Sequence, residues 1–167
     1  MILTSLRHHY ANLLRFSGRD RPGLFWPSAL VHVGLLFGVW TIALMWAMTE
    51  LDVGVRAIPA IVRGLIIGGG ILALLFASAV TRRLHDVGLR GWWALIPAAL
   101  YTASGFVMLN WFAVGAGQQI EPSPLFMIGW LATMLYNISV LALIAVLCIP
   151  GKKVENRFGP PSDPPAG

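Results

Sequence analysis

Four long apolar blocks alternate with short polar segments along the chain. They cover residues 24–48, 58–80, 92–114 and 124–149, and each contains 23 to 26 residues. A helix needs about 20 apolar residues to cross the hydrocarbon core of a bilayer, and its backbone must satisfy its own hydrogen bonds there. The blocks do not alternate between apolar and polar positions as barrel strands do. The pattern therefore predicts an all-α polytopic membrane protein with four transmembrane helices inside residues 18–151.

Residues 1–17 predict a smaller element before the first span. Its basic and polar residues lie away from the centre of an apolar helical face. Such a helix lies in the membrane interface, with its basic groups toward anionic lipid. The apolar face comprises Ile2, Leu3, Leu6, Tyr10, Leu13 and Leu14. At the other end of the chain, residues 152–167 form a cytoplasmic tail that we expect to be partly disordered, because its final stretch is rich in proline.

Composition and charge favour a membrane location and predict an orientation. Only 11% of the residues are charged, against about a quarter in soluble domains. Ten of the 12 Lys and Arg residues lie in the N-terminal segment, in residues 81–91 or in the tail, and Arg56 and Arg63 are the other two. Since basic residues concentrate on the cytoplasmic side, we expect a multi-pass protein of the bacterial inner membrane with both termini in the cytoplasm. The same bias accounts for the net charge of +5 without a nucleic-acid partner.

Two polar residues lie inside the predicted spans, His32 in the first and Asn137 in the fourth. A buried polar group is costly in lipid, so we interpret both as hydrogen-bonding groups between helices, with a solute path as the alternative. No span contains a buried acidic residue, which disfavours an ion-coupled transporter. The Gly-xxx-Gly pairs at 34–38 and 64–68 permit close helix approach, either within the bundle or in a homo-oligomer.

The segment TRRLHDVGLRGWW, residues 81–93, interrupts the apolar pattern with charged residues. If the second helix continues to residue 87, then Arg82, His85 and Asp86 share one face. Gly88 is then placed to end the helix, and Gly91 permits a tight reversal. Tryptophan is typical of the membrane interface. The predicted interface anchors are Trp26, Trp92 and Trp93.

This segment has three open interpretations. It is the charged turn that joins two spans, or it binds an anion such as a lipid phosphate or an acidic partner segment through its arginines. The third interpretation is acid–base chemistry by His85 with Asp86. A metal site is not expected, because His85 and Asp86 have no second cluster of ligands in the sequence, and no cofactor is expected. No nucleophile motif or phosphate-binding loop indicates an enzyme.

Three segments stand out together: FSGRDRPGLFW (16–26), RRLHDVGLRGWW (82–93) and PGKKVENRFGPP (150–161). Together they resemble a bacterial inner-membrane family with no assigned function, the domain of unknown function 805. The chain departs from the family pattern at one place. The family has a second arginine three residues after the first, whereas here Pro22 occupies that position and Arg21 comes one residue earlier. The resemblance implies a small helical membrane protein with cytoplasmic termini and supplies no reaction.

By the predicted topology, all three segments lie on the cytoplasmic side. We therefore predict that residues 155–158 fold back against residues 82–91, with Asp86 accepting a hydrogen bond from an arginine. The predicted polar network consists of Arg19, Arg82, Arg83, His85, Asp86, Arg90, Glu155, Asn156 and Arg157.

The sequence leads to three hypotheses of function. The first is a scaffold or accessory protein, not an enzyme, that binds a protein partner or anionic lipid headgroups at its cytoplasmic face. The second is a small transporter or flippase-like protein with a path near His32 and Asn137. The third is a membrane-embedded enzyme that uses His85 and Asp86.

Overall fold

The computed structural model describes residues 1–49, 54–115 and 124–161. Its helices are α1 (Ile2–Ala11), α2 (Pro22–Thr49), α3 (Gly54–Val87), a short 3₁₀ helix (Gly91–Ala94), α4 (Leu95–Gly115) and α5 (Pro124–Cys148). Within these ranges there is no strand, so the predicted all-α class is confirmed. Residues 162–167 of the predicted tail lie outside the described residues, as do residues 50–53 and 116–123 between predicted spans.

Three helical segments among the described residues are long and apolar enough to cross a membrane. They are Pro22–Ile42 in α2, Arg63–Val87 in α3 and Phe126–Cys148 in α5. The predicted third span corresponds to α4, which has 21 residues and lies against α5. Its first residues form the 3₁₀ helix, so the α-helical part begins at Leu95 rather than at Trp92.

The N-terminal helix α1 is shorter than the predicted element of residues 1–17. It ends at Ala11, because Asn12 closes the last turn. The Asn12 N–H and its Nδ2 both donate to the His8 carbonyl oxygen, at 3.2 and 2.8 Å. A short polar side chain that binds the backbone in this way competes with continuation of the helix.

The face that α1 packs against α2 is polar. Ser5 donates to the Leu24 carbonyl oxygen at 2.5 Å and accepts from the Ser28 N–H at 3.0 Å. His9 is buried together with Ser5. The predicted apolar face is not buried, and its members are exposed or partly exposed: Ile2, Leu3, Leu6, Tyr10, Leu13 and Leu14.

The buried core is small, and much of the helix surface is apolar and exposed. Among the described residues, the buried hydrophobic residues of the core are Phe25, Phe76, Ala79, Leu84 and Leu147. Large apolar side chains such as Phe37, Leu74 and Leu141 are exposed along α2, α3 and α5. A soluble protein rarely exposes contiguous apolar surface of this extent, whereas lipid-facing helices do. This exposure pattern agrees with a membrane protein.

The Gly-xxx-Gly pair at 64–68 brings α3 close to α2. A Cβ on Gly68 would lie 3.2 Å from the Leu36 side chain, and one on Gly64 would lie 3.4 Å from the Trp40 ring. This pair therefore serves packing within the chain. The pair at 34–38 differs, since a Cβ built at either glycine would meet no atom of the described chain within 4 Å.

Candidate functional site

The end of α3 forms the turn that the sequence predicts. Gly88 has a φ of +96°, a left-handed conformation that favours glycine, and its N–H donates to the Leu84 carbonyl oxygen at 3.0 Å. The Leu89 N–H donates to the same oxygen at 2.9 Å. The chain then reverses at Gly91, where a Cβ would overlap the Thr81 side chain. The structural roles predicted for Gly88 and Gly91 are confirmed.

The charged residues at the end of α3 are buried rather than solvated. The exposed fraction is 3% for Arg82 and 0% for Arg83 and Asp86. The turn that joins the two spans therefore begins with three charged residues that are not solvated. Buried charges need partners that are close and hydrogen-bonded. The partners come from residues 12–20, from the end of α5 and from the tail.

Asp86 lies between two guanidinium groups. Arg19 Nε donates to Asp86 Oδ1 at 3.0 Å, and Arg83 Nη1 donates to Asp86 Oδ2 at 2.5 Å. All three side chains are at most 1% exposed. We call Arg19, Arg83 and Asp86 the Asp86 cluster. The predicted hydrogen bond from an arginine to Asp86 is confirmed, with two arginines as donors.

Both arginines of the Asp86 cluster also bind backbone carbonyls near the C-terminus. Arg83 donates to the Leu147 carbonyl oxygen at 3.0 Å and to that of Ile149. These carbonyls lie at the end of α5, where a helix leaves its last acceptors without internal partners. Arg19 donates to the carbonyl oxygens of Lys152, Val154 and Gly159. One carboxylate therefore holds two cations that tie the N-terminal segment, α3 and the C-terminal segment together.

Arg82 points to a different partner, Asp20. Arg82 Nε donates to Asp20 Oδ2 at 2.9 Å. Its Nη1 donates to the Asn12 carbonyl oxygen at 2.8 Å and to that of Arg15. Arg82 and Asp86 therefore have different ion-pair partners, since residues 12–20 supply Arg82 with a carboxylate and two carbonyls of their own.

Asp20 is a site residue that the sequence reasoning misses. It is 3% exposed, and its Oδ1 lies 2.9 Å from His8 Nε2. We call His8, Asp20 and Arg82 the Asp20 cluster. One signal in the sequence points to it, because Asp20 is the only acidic residue before residue 50 and it lies between Arg19 and Arg21.

The tail folds back on the end of α3, as predicted. Asn156 Nδ2 donates to the His85 carbonyl oxygen at 3.0 Å, and Arg157 Nη2 donates to the Gly88 carbonyl oxygen at 3.4 Å. The Phe158 ring stacks on the His85 imidazole, with centroids 3.8 Å apart and an angle of 7° between the planes. The His85 side chain thus provides a packing surface for the tail.

Five members of the predicted network lie outside both clusters, namely His85, Arg90, Glu155, Asn156 and Arg157. Arg90 and Glu155 are exposed, and their membership of one polar network with Asp86 stays a prediction. Trp92 and Trp93 follow Arg90 in the chain, stack on each other at 4.4 Å and are about half exposed. Trp26 packs against the buried core instead.

The two polar residues inside the predicted spans behave differently. His32 Nδ1 lies 2.7 Å from the Ser28 carbonyl oxygen and must donate to it, so Nε2 accepts from the Tyr10 hydroxyl at 2.6 Å. This bond joins α2 to α1 and confirms the prediction for His32. Asn137 is exposed and donates to the Thr133 carbonyl oxygen of its own helix at 2.8 Å. The predicted bond between helices is therefore wrong for Asn137, whose side chain faces outward and finds its partner one turn back.

His9 is a second buried residue that the sequence reasoning misses. It is 2% exposed, and its ring centroid lies 4.5 Å from that of Phe76 and 5.3 Å from that of His32. Neither ring nitrogen has a hydrogen-bond partner among the described residues. Burial lowers the pKa of His9, and the positive charge of Arg82 lowers it further. No group of three His, Cys, Asp or Glu side chains in the described ranges could hold a metal ion.

Together, the fold and the two ionic clusters define a class of protein. Over its described residues it is an all-helical protein with helices long and apolar enough to span a membrane, and Arg19 and Asn156 tie its N-terminal and C-terminal segments to the end of α3. A family model described as a protein of unknown function (DUF805) matches residues 13–160, and the chain belongs to this family. The matched range contains both aspartates of the clusters and begins after α1. No curated protein and no solved structure matches the chain.

Proposed function

We propose that this protein is a four-span membrane protein without catalytic activity of its own. In this proposal it acts as a scaffold or accessory protein and binds anionic lipid headgroups at its cytoplasmic face. One observation carries the proposal, a group of exposed basic side chains at the end of α3. We call this group the basic rim, and it consists of Arg90, Lys152 and Arg157.

The basic rim is gathered around Gly88. Arg157 Nη2 donates to the Gly88 carbonyl oxygen at 3.4 Å, and Lys152 Nζ lies 2.8 Å from the position of a Cβ on Gly88. Arg90 is exposed and lies two residues after Gly88 and two residues before Trp92 in the chain. Cations beside indole rings at a membrane surface suit a lipid phosphate.

The buried arginines support the rim instead of contributing to it. Arg19, Arg82 and Arg83 donate to internal carboxylates and carbonyls, which makes them poor candidates for binding an external anion. By holding the tail against α3, the Asp86 cluster keeps Lys152 and Arg157 in place before a ligand arrives. Preorganisation of this kind lowers the entropic cost of binding.

The arrangement of the helices favours the proposed topology. The start of α2, the end of α3 and the end of α5 meet at the ionic clusters, which supports a common side for both termini. Ten of the 12 basic residues belong to the segments predicted on that side, and this bias favours the cytoplasm. The exposed apolar face of α1 suits a helix that lies in the interface.

The enzyme and transporter hypotheses receive less support. The Asp86 carboxylate accepts from two arginines, and the His85 ring is covered by a tail phenylalanine, which disfavours acid–base work by this pair. A solute path is disfavoured as well, because His32 is hydrogen-bonded to α1 and Asn137 faces outward.

Lipid retention by the purified protein tests the proposal. The protein in detergent is incubated with equal amounts of phosphatidylglycerol and phosphatidylcholine that carry identical chains, and bound lipid is counted by native mass spectrometry. We expect the wild-type protein to retain phosphatidylglycerol preferentially, and the double variant Arg90→Gln/Lys152→Gln to lose this preference, because two phosphate-binding cations are removed.

The matched control is Arg56→Gln/Arg63→Gln. It removes the same charge from the opposite side of the predicted topology and should keep the wild-type preference. Equal retention of both lipids by the wild-type protein would refute the proposal, and so would an unchanged preference in the Arg90→Gln/Lys152→Gln variant.

A further inference from the structure

An apolar cavity lies next to the basic rim. It has a volume of about 360 Å³ and lies between the end of α3, the 3₁₀ helix, α4 and α5. This volume is within the range of about 300–1,000 Å³ that is typical of ligand sites. Its walls include Leu84, Leu89, Trp93, Ala142, Leu143 and Val146.

The walls of the cavity offer little to a polar ligand. Among the described residues that line the cavity, the one hydroxyl belongs to Ser139, which already donates to the Tyr136 carbonyl oxygen of its own helix at 2.7 Å. The other lining residues are aliphatic or aromatic, or in one case proline. A hydrocarbon is therefore the ligand chemistry that the walls match, since it buries apolar surface and leaves no polar group without a partner.

The cavity borders exposed apolar surface, and one of its lining residues is a chain neighbour of the basic rim. Leu95 and Ile144 are exposed on α4 and α5 next to lining residues, so the cavity borders surface of the kind that faces lipid. Leu89 and Trp93 line it, and the exposed Arg90 lies between them in the chain.

The charge beside the cavity is predominantly positive. Gly88, around which Lys152 and Arg157 gather, directly precedes the lining residue Leu89. The only acidic residue between positions 150 and 161 is Glu155, which is outnumbered by the basic residues of the same stretch. Cations close to the lining residue Leu89 and hydrocarbon walls inside the cavity match a ligand that has an anionic head and an apolar chain.

We infer that the cavity binds one acyl chain of an anionic phospholipid, whose phosphate lies on Arg90 and Lys152. This inference rests on the proposed function and adds a specific chain site to the headgroup site. A lipid held at both ends dissociates more slowly than one held by its headgroup alone, because each contact keeps the other at high local concentration. The protein would then retain one such lipid through purification.

Filling the cavity tests the inference. Ala142→Trp places an indole among the lining residues, and Ala145→Trp places the same side chain at an exposed position of α5 outside the lining. Retention of long-chain phosphatidylglycerol is compared with that of dihexanoyl phosphatidylglycerol by native mass spectrometry. We expect wild-type protein and Ala145→Trp to retain one long-chain lipid, and Ala142→Trp to lose it. The short-chain lipid should be lost from all three proteins.

The outcomes separate this inference from the proposed function. If Ala142→Trp still retains one long-chain phosphatidylglycerol, the chain site is overturned while a headgroup preference at the basic rim can stand. A second outcome is that wild-type protein retains phosphatidylcholine equally well and Ala142→Trp loses both lipids. The proposed function would then fail. The cavity would be a site for an acyl chain without headgroup selection, which overturns the assignment to an anionic lipid.

A second measurement does not depend on the folding of a variant. Phosphatidylglycerol that carries a photoreactive group on its acyl chain is crosslinked to wild-type protein, and the modified peptides are mapped. Crosslinks at Leu143 and Val146 support the inference. Crosslinks confined to exposed positions outside the cavity, such as Leu141 and Ala145, would overturn it.

Discussion

Replacing Asp86 by asparagine should destabilise the protein strongly. The substitution keeps the size of the side chain and removes its charge. Arg19 and Arg83, which are at most 1% exposed, would then share one neutral amide in place of a carboxylate. The amide offers a single acceptor oxygen, and its NH₂ group points donors at a guanidinium.

The size of the effect follows from burial and pairing. Removing one partner of a buried ion pair costs about 3–5 kcal/mol, because the other charge is left without compensation. Asp86 compensates two such charges, so we expect a loss of at least about 3 kcal/mol. Since whole proteins are stable by about 5–15 kcal/mol, the variant should retain only part of its stability.

The free energy of unfolding is measured by denaturant titration in mixed micelles. Glu155→Gln, which removes the same charge from an exposed tail residue, is the control and should stay within about 0.5 kcal/mol of the wild type. Trypsin provides a second readout, because the buried Arg19 side chain should become a cleavage site only when the Asp86 cluster opens. If Asp86→Asn is as stable as the wild-type protein and Arg19 stays protected from trypsin, then the carboxylate does not hold the two arginines.

Three further predictions concern residues packed near the clusters. Gly151→Ala should lower the free energy of unfolding by about 1–3 kcal/mol, because its Cβ would overlap the Asp86 carboxylate. The control is Gly23→Ala, where a Cβ meets open space, and it should have little effect in the same denaturant titration. His9→Phe should leave stability unchanged or raise it by about 1 kcal/mol, since it removes a buried polar ring without partners in the described chain; a clear loss of stability would show that the imidazole nitrogens are bound. The stability of the wild-type protein should fall as the pH drops below about 6.5, because the folded state lowers the pKa of His9 and the unfolded state takes up the proton first. The same denaturant titration repeated across pH should show a smaller decline in stability for His9→Phe. Equal declines for the two proteins would exclude His9 as the source.

The sequence predicts the helices well because their signal is local. An apolar block long enough to cross a bilayer specifies a helix whatever lies elsewhere in the chain. The predicted spans accordingly differ from α2, α3 and α5 mainly at their ends, and the roles of Gly88 and Gly91 follow from the turn itself. The length of α1 is predicted less well, since the competing hydrogen bonds of Asn12 leave no signal in the apolar pattern.

The site is predicted in part, through its location and its fold-back. Counting basic residues places three segments on one side, and this is enough to predict that the tail meets the end of α3. It does not say that the arginines are buried, because basic residues at the end of a span are also what a solvated turn contains. Burial depends on how many acceptors the other segments supply.

The sequence by itself thus determines the helical class, the approximate spans and the segments that carry charge. Only the tertiary structure decides that Arg82 pairs with Asp20 while Arg83 pairs with Asp86, and that Asn137 faces outward. The physical reason is distance along the chain. A helix satisfies its backbone within four residues, whereas Arg82 and Arg83 find carbonyl partners in Asn12 and Leu147, more than 60 residues away on either side.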